Sequence, residues 1–394
     1  MSAPATTTAT SARGTGAGLR RPSAVGAFGI GATFIGTTIG AGYASGQEIL
    51  QYFVSFGPVR GPIALAIATV LFFLLGWAVL WLAHRLRTDD IHDLVNPVDS
   101  RWPTRFVDLS ITVSLFGTLV IMLAGAGAAI ELQTGIPAIV GSAIMAAVCV
   151  VSILAGTSGL VIVQKIVVPL IIVVAVGVAA WAIVNAGPST GQAAADLVNS
   201  SPLINNWMLS GVLYVAFNIQ LVYAVFAPVG KESKGGLTLF SGALLGALGI
   251  GVMAGAMVWA LSANAAVVGT ADLPMVELAA TIAPWAMVVY TIVLLLAQFT
   301  TAVSCLFGSV ERFRKAGPIT KLPNWLVAVL TGALAVLLSA IGFSSLIGTV
   351  YPILGYAGLV IIVLLVATFI VRHRRGELSG PHSEDRAVRA SSDA

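Results

Sequence analysis

From about residue 25 to residue 371 the chain is a succession of apolar stretches, separated by short polar punctuation. The stretches fall at 25–56, 61–86, 105–132, 137–157, 161–186, 205–228, 236–262, 280–312, 324–342 and 345–371. Each suffices to carry a helix across a hydrocarbon core of ~30 Å. The pattern predicts an all-α membrane protein of about ten transmembrane helices. Two stretches break the pattern. The first carries Gly36, Gly40, Gly42 and Gly46 among Thr37, Thr38, Ser45, Gln47 and Glu48, and the sixth carries Asn218 and Gln220 ahead of Pro228. At membrane depth free backbone groups must find partners other than lipid, so both stretches are expected to be discontinuous helices lining a site. They stand first and sixth of ten. That spacing predicts two halves of five helices, about 24–186 and 205–371, and an odd number per half requires inverted orientation. The two halves form one membrane domain, 24–372, between a Ser, Thr, Ala and Gly-rich tail at 1–23, read as disordered, and a tail at 373–394.

Composition supports the same class. The 394 residues are 58% hydrophobic and 9% charged, with a mean hydropathy of +0.98, against roughly 25% charged in soluble domains. A soluble enzyme is excluded. The net charge of +4 is a matter of topology, because Lys and Arg gather in the loops after helices two, four, six and eight and in both tails, leaving Arg60 on the other side. Both termini are therefore expected in the cytoplasm and the protein in the cell's plasma (inner) membrane. Nucleic-acid binding has no support in that distribution. Cys149 and Cys305 lie in apolar stretches, and the four histidines lack metal-ligand spacing, so no transition-metal site and no cofactor are expected. A nucleotide-binding GxxxxGK[ST] loop is absent from the sequence. Nothing in the chain specifies an oligomeric state.

The segment GTTIGAGYASGQE (Gly36 to Glu48) resembles the first-helix signature of the YkvI-type membrane proteins, regarded as amino-acid permeases of the amino acid-polyamine-organocation superfamily. The likeness continues through MLAGAGA (Met122 to Ala128), GLVIVQKIVVP (Gly159 to Pro169), the sixth helix around Asn218, LPMVELA (Leu273 to Ala279) and YPILGYAGL (Tyr351 to Leu359), and omits both tails. It implies a LeuT-type five-plus-five fold, with LPMVELA as an outer lid. Transport class is implied more firmly than cargo.

An unwound stretch exposes backbone amides and carbonyls, and a resuming half-helix adds a positive dipole that suits an anionic group. An amino-acid carboxylate against the amides of Ala41 and Gly42, beside Thr38 and Gly40, is one reading of the first break. Glycines kept small for helix packing are the other. Helix three would face the site with Ser114, Gly117, Thr118 and Met122, while Phe217 or Tyr223 would cover the substrate. Asn218 and Gln220 either meet the substrate or satisfy their own helix. Glu48 is the one carboxylate in the first stretch; it relays protons, meets a substrate amine, or bonds neighbouring helices. Sodium, if it is the coupling ion, would take hydroxyls from Thr300 and Thr301, which the resemblance pairs with the carbonyls of Gly36 and Ile39. The alternative is that both threonines bond their own backbone. Glu131 and Lys165 are read as interfacial. Lacking an acidic cluster suited to polyamines, the cargo is expected to be a neutral or zwitterionic amino acid, carried by a sodium-coupled secondary transporter. A proton-coupled permease and a solute-binding nutrient receptor on the same fold are the alternatives.

Overall fold

The computed structural model describes residues 26–98, 100–155, 160–185, 201–233, 235–314 and 322–378. The predicted tail at 1–23 and the chain beyond residue 378 lie outside these. The first membrane crossing is assembled from three short helices, α1 (Ala27–Thr38), α2 (Ala41–Ala44) and α3 (Gln47–Tyr52). A 3₁₀ turn, Val54–Phe56, leads into α4 (Gly57–Leu86), followed by the short α5 (Ile91–Val95), α6 (Arg101–Thr134), α7 (Ala138–Ala155) and α8 (Leu160–Val184). The second half comprises α9 (Trp207–Glu232), α10 (Gly236–Ala263), the short α11 (Ala265–Val268) and α12 (Pro274–Ala280), then α13 (Pro284–Arg314), α14 (Asn324–Ser339) and α15 (Phe343–Arg374). Eight described spans are long and apolar enough to cross a bilayer, and two shorter apolar helices, Ala27–Thr38 and Asn324–Ser339, complete the set. Among the described residues the architecture is all-helical, and these ten helices make up the crossings.

The helices sort into two groups by packing. α1, α4, α9 and α10 pack on one another, and α6, α7, α13 and α14 do likewise. These are crossings one, two, six and seven against three, four, eight and nine, the same two positions in each half of five. α15 lies between α9 and α6, and α8 between α10 and α13, so these two helices join the groups. Without a hydrophobic driving force between helices in lipid, close backbone approach must supply the cohesion. Gly211 and Gly230 supply it for α4 and α9: a Cβ at either would sit 2.5 Å from a carbonyl of α4, that of Ala64 or Leu80.

The first break forms where the glycines lie. α1 ends at Thr38, Ile39 turns to φ −85°, ψ 90°, and Gly40 is extended at φ −100°, ψ −173°. The helix resumes at Ala41 and is kinked again at Gly46, whose φ of +84° is left-handed. The sixth crossing corrects the expectation. α9 runs unbroken from Trp207 to Glu232 through Asn218 and Gln220, with Pro228 in its last turns. Between Gly211 and Gly230 it has no glycine to release the backbone, and its amides bond within or across the bundle rather than opening the helix.

Candidate functional site

The break removes helical partners from both flanking turns. The amides of Ala41, Gly42 and Tyr43 precede the first i→i−4 acceptor of α2, whose earliest bonds run from Ala44 to the Gly40 carbonyl (3.0 Å) and from Ser45 to the Ala41 carbonyl (2.9 Å). The Gly40 amide turns back to the Thr38 carbonyl at 3.1 Å, so the Gly36 carbonyl loses its helical donor. The Thr38 hydroxyl is buried with no hydrogen-bond partner among the described residues. This is unsatisfied polar surface at membrane depth, where orphaned groups are costly.

Glu48 turns back onto this segment. It is 4% exposed, and a Cβ placed on Gly42 would lie 2.1 Å from its Oε1 and 3.3 Å from the Tyr351 hydroxyl. Tyr351 hydrogen-bonds the carboxyl. The space that the sequence reserves for a substrate carboxylate at Gly42 is thus filled by the chain's own acid. The Tyr351 ring stacks on Phe217 with centroids 4.4 Å apart and planes 13° apart. Tyr52 and Tyr214 complete an aromatic cluster, their centroids 5.3 Å from each other and 5.9 and 5.5 Å from Phe217. Both tyrosines are fully buried, and both hydroxyls are unpartnered among the described residues.

The segment around α12 packs onto α2 and α3. The Met275 amide, at the start of α12, donates to the Ser45 carbonyl at 3.0 Å, and the Met275 side chain rests where Gly46 has none: a Cβ there would meet its Cγ at 2.7 Å. Ser344, in the first turn of α15, receives Gln47 Nε2 on its hydroxyl and Gln51 Nε2 on its carbonyl, each at 2.8 Å. The Ser344 hydroxyl in turn donates to Asp272, next to α12. Tyr290 of α13 holds the Ala44 carbonyl at 2.6 Å. The lid that the resemblance implies for LPMVELA is therefore docked on α2 and α3. In α12, Glu277 has its carboxyl pushed up by partial burial and by the neighbouring Asp272.

Other expected site residues take structural roles. Gln220 accepts from Ser110 at 2.7 Å and Ser114 at 3.2 Å and donates to the Leu354 carbonyl at 2.7 Å, which ties α6, α9 and α15 together. Ser114 is thereby engaged away from the break. Asn218 donates to the Tyr214 carbonyl at 2.9 Å within α9, leaving its amide oxygen free to accept. Thr300 and Thr301 both donate to the Ala297 carbonyl at 3.0 Å; a hydroxyl so engaged keeps lone pairs for a cation. Lys165 and Glu131 are exposed. Met122 is buried, and a Cβ on Gly117 would meet Val350.

The chain is similar in sequence to two proteins of Bacillus subtilis (strain 168). The uncharacterized membrane protein YkvI is 28% identical over 341 residues, spanning 86% of this chain and 95% of YkvI. The uncharacterized protein YyaD is 26% identical over 332 residues, spanning 84% and 94%. No family profile matches the chain. Among solved structures it resembles the inward-facing conformation of Mhp1, with a TM-score of 0.64 and 16% identity over 89% of this chain and 78% of that one. It also resembles the closed, bromovinylhydantoin-bound form of Mhp1, a nucleobase-cation-symport-1 family transporter, with a TM-score of 0.60, 16% identity, and coverage of 91% and 82%. The fold is the LeuT-type fold expected from the sequence.

Sequence reasoning missed two features. The tyrosines grouped with Glu48 come from separate helices, although Tyr43 lies inside the first-helix motif and Tyr52 just after it. Gln298 in α13 is fully buried with neither end of its amide bonded, and a Cβ on Gly125 would lie 2.5 Å from its Nε2. A glutamine one turn from Thr301 in an otherwise apolar helix was the available signal. Two clefts open on the outer flank, one between α4 and α15 lined by Trp77, Trp81 and Phe369, the other between α4 and α10 lined by Leu65, Thr69 and Trp259. Their walls are mostly apolar, and neither includes a residue of the break.

Proposed function

We propose that this chain is a secondary active transporter of a small solute, a neutral or zwitterionic amino acid or a related compound, working by alternating access in the plasma membrane with both termini cytoplasmic. The observation that carries the reading is the interrupted first crossing: unpaired backbone groups, an orphaned hydroxyl and a buried acid meet at membrane depth beneath a docked lid. The two packing groups, joined through α8 and α15, give the break a fixed wall and a moving one. Fold likeness to Mhp1 supports the same mechanism.

Sodium is the proposed coupling ion, held by the carbonyls of Gly36 and Ile39 with Thr300 and Thr301, since carbonyls and hydroxyls coordinate it without a formal charge. Coupling to protons is the second reading, favoured by Glu48, the one buried carboxylate among the described residues. Uptake of labelled amino acids into proteoliposomes under imposed sodium or proton gradients separates these readings. Binding without accumulation under either gradient overturns the transporter and leaves a receptor. Thr301→Ala is expected to raise the sodium concentration for half-maximal uptake by several-fold; an unchanged sodium response moves the ion elsewhere.

A further inference from the structure

A carboxyl buried in a membrane protein stays ionised only beside a counter-charge, because an unpaired ion in low dielectric carries a solvation cost of several kcal/mol. Glu48 is 4% exposed, and among the described residues no ion pair involves it. Its carboxyl meets the Tyr351 hydroxyl beside Gly42 instead, and the Tyr351 ring belongs to one aromatic cluster with Phe217, Tyr52 and Tyr214. Tyr43 donates to the Ile250 carbonyl at 3.3 Å and Tyr351 to Glu48 itself. The Tyr52 and Tyr214 hydroxyls, each on a fully buried side chain, have no hydrogen-bond partner among the described residues. Phe217, whose ring stacks on Tyr351 at 4.4 Å, lies 5.9 and 5.5 Å from the Tyr52 and Tyr214 rings, centroid to centroid. A carboxylate, free hydroxyl oxygens and aromatic faces are together the chemistry of an ammonium site: a charge to pair with, acceptors for N–H donors, and a π wall for the C–H or N–H edge.

We propose that Glu48 and the tyrosines around it bind the ammonium group of the transported solute, so that the cargo is held by its amine at Glu48 rather than by its carboxylate at Gly42. The proposal rests on the transporter reading for the word cargo. The carboxylate arrangement fails on space, since a substrate carboxylate at Gly42 would meet the Glu48 oxygen already seated there. An ammonium in that position neutralises the acid and supplies the donors that the unpartnered hydroxyls lack.

Methylammonium is the smallest probe that carries the group. With the purified full chain, the thermal unfolding midpoint is titrated with methylammonium chloride against equal concentrations of sodium chloride. Methylammonium is expected to raise the midpoint saturably beyond the sodium control. Glu48→Gln should weaken its apparent affinity by about tenfold or more, and Glu48→Asp, which keeps the charge but draws it back, by less. No methylammonium-specific rise in the wild type, or an equal rise in Glu48→Gln, overturns the site. If Glu48→Gln does not fold, an unchanged response in Glu48→Asp does so.

Proteoliposomes keep the two readings apart. Amino-acid accumulation that methylammonium does not inhibit removes the amine assignment and leaves the transporter. Saturable, Glu48-dependent stabilisation by methylammonium without accumulation of any labelled solute leaves the cation site and removes transport.

Discussion

The first and sixth crossings occupy equivalent places in the two halves, and both carry polar residues at membrane depth, yet only the first opens. In the first, Gly40 takes an extended conformation and Gly46 a left-handed one, so the backbone turns away from the helical ladder at little cost. In the sixth, polarity arrives on side chains with no glycine among them. Asn218 bonds one turn back and Gln220 bridges to α6 and α15, and the helix stays whole. Polar side chains therefore mark where a bundle is pinned, while glycines mark where its backbone can part.

The comparison breaks most sharply at Gly42. A valine there drives its side chain into Glu48 and the Tyr351 hydroxyl, and ligand-induced stabilisation and uptake are expected to fall to background while the protein still elutes as a folded species. Unchanged affinity would mean that the break does not hold the ligand. In the sixth crossing, Gln220→Leu takes the acceptor from two buried serine hydroxyls and the second donor from the Leu354 carbonyl, and is expected to cost about 2–3 kcal/mol in stability with little change in ligand specificity. If instead the midpoint holds and specificity changes, Gln220 belongs to the site and the contrast between the two crossings is lost. Ser344→Ala removes the bonds from Gln47 and to Asp272; loosening the lid by about 1 kcal/mol should shift the open population several-fold. Labelling of a cysteine introduced at Ser45 reads that shift, and equal labelling rates deny the latch. The smallest effect is expected at Glu277. Its carboxyl titrates above the usual range, so its ionisation opposes the folded lid as pH rises. Glu277→Gln should then flatten the loss of stability as pH rises through the acid range just above the usual carboxylate pKa, by at most a few tenths of a kcal/mol given its solvent exposure. An identical pH profile in the variant would show the carboxyl to be uncoupled from the fold.

Much of the architecture was legible in the residues. Ten apolar stretches, the asymmetry of Lys and Arg, and four glycines among polar residues in the first stretch are local features, and each acts through the chain's own solvent preference or backbone freedom. Likeness to known sequences marked LPMVELA as an outer-loop segment, and only the structure shows its Met275 amide bonded to the Ser45 carbonyl. The site was less legible. Asn218 and Gln220 read as a second break because the sequence does not say which carbonyl or hydroxyl an amide will find, and Gln220 found its partners more than a hundred residues away. Ser114 looked available for the same reason.

Crossing number, the place of the first break and the class of molecule were determined by the sequence alone, since membrane insertion and helix interruption respond to a window of neighbouring residues. Only the tertiary structure decided that Glu48 would fold back onto Gly42, that tyrosines from separate helices would be grouped with it, and that the sixth helix would remain intact. Those outcomes depend on which polar group meets which across the bundle, and in a medium that satisfies none of them, packing chooses the partner.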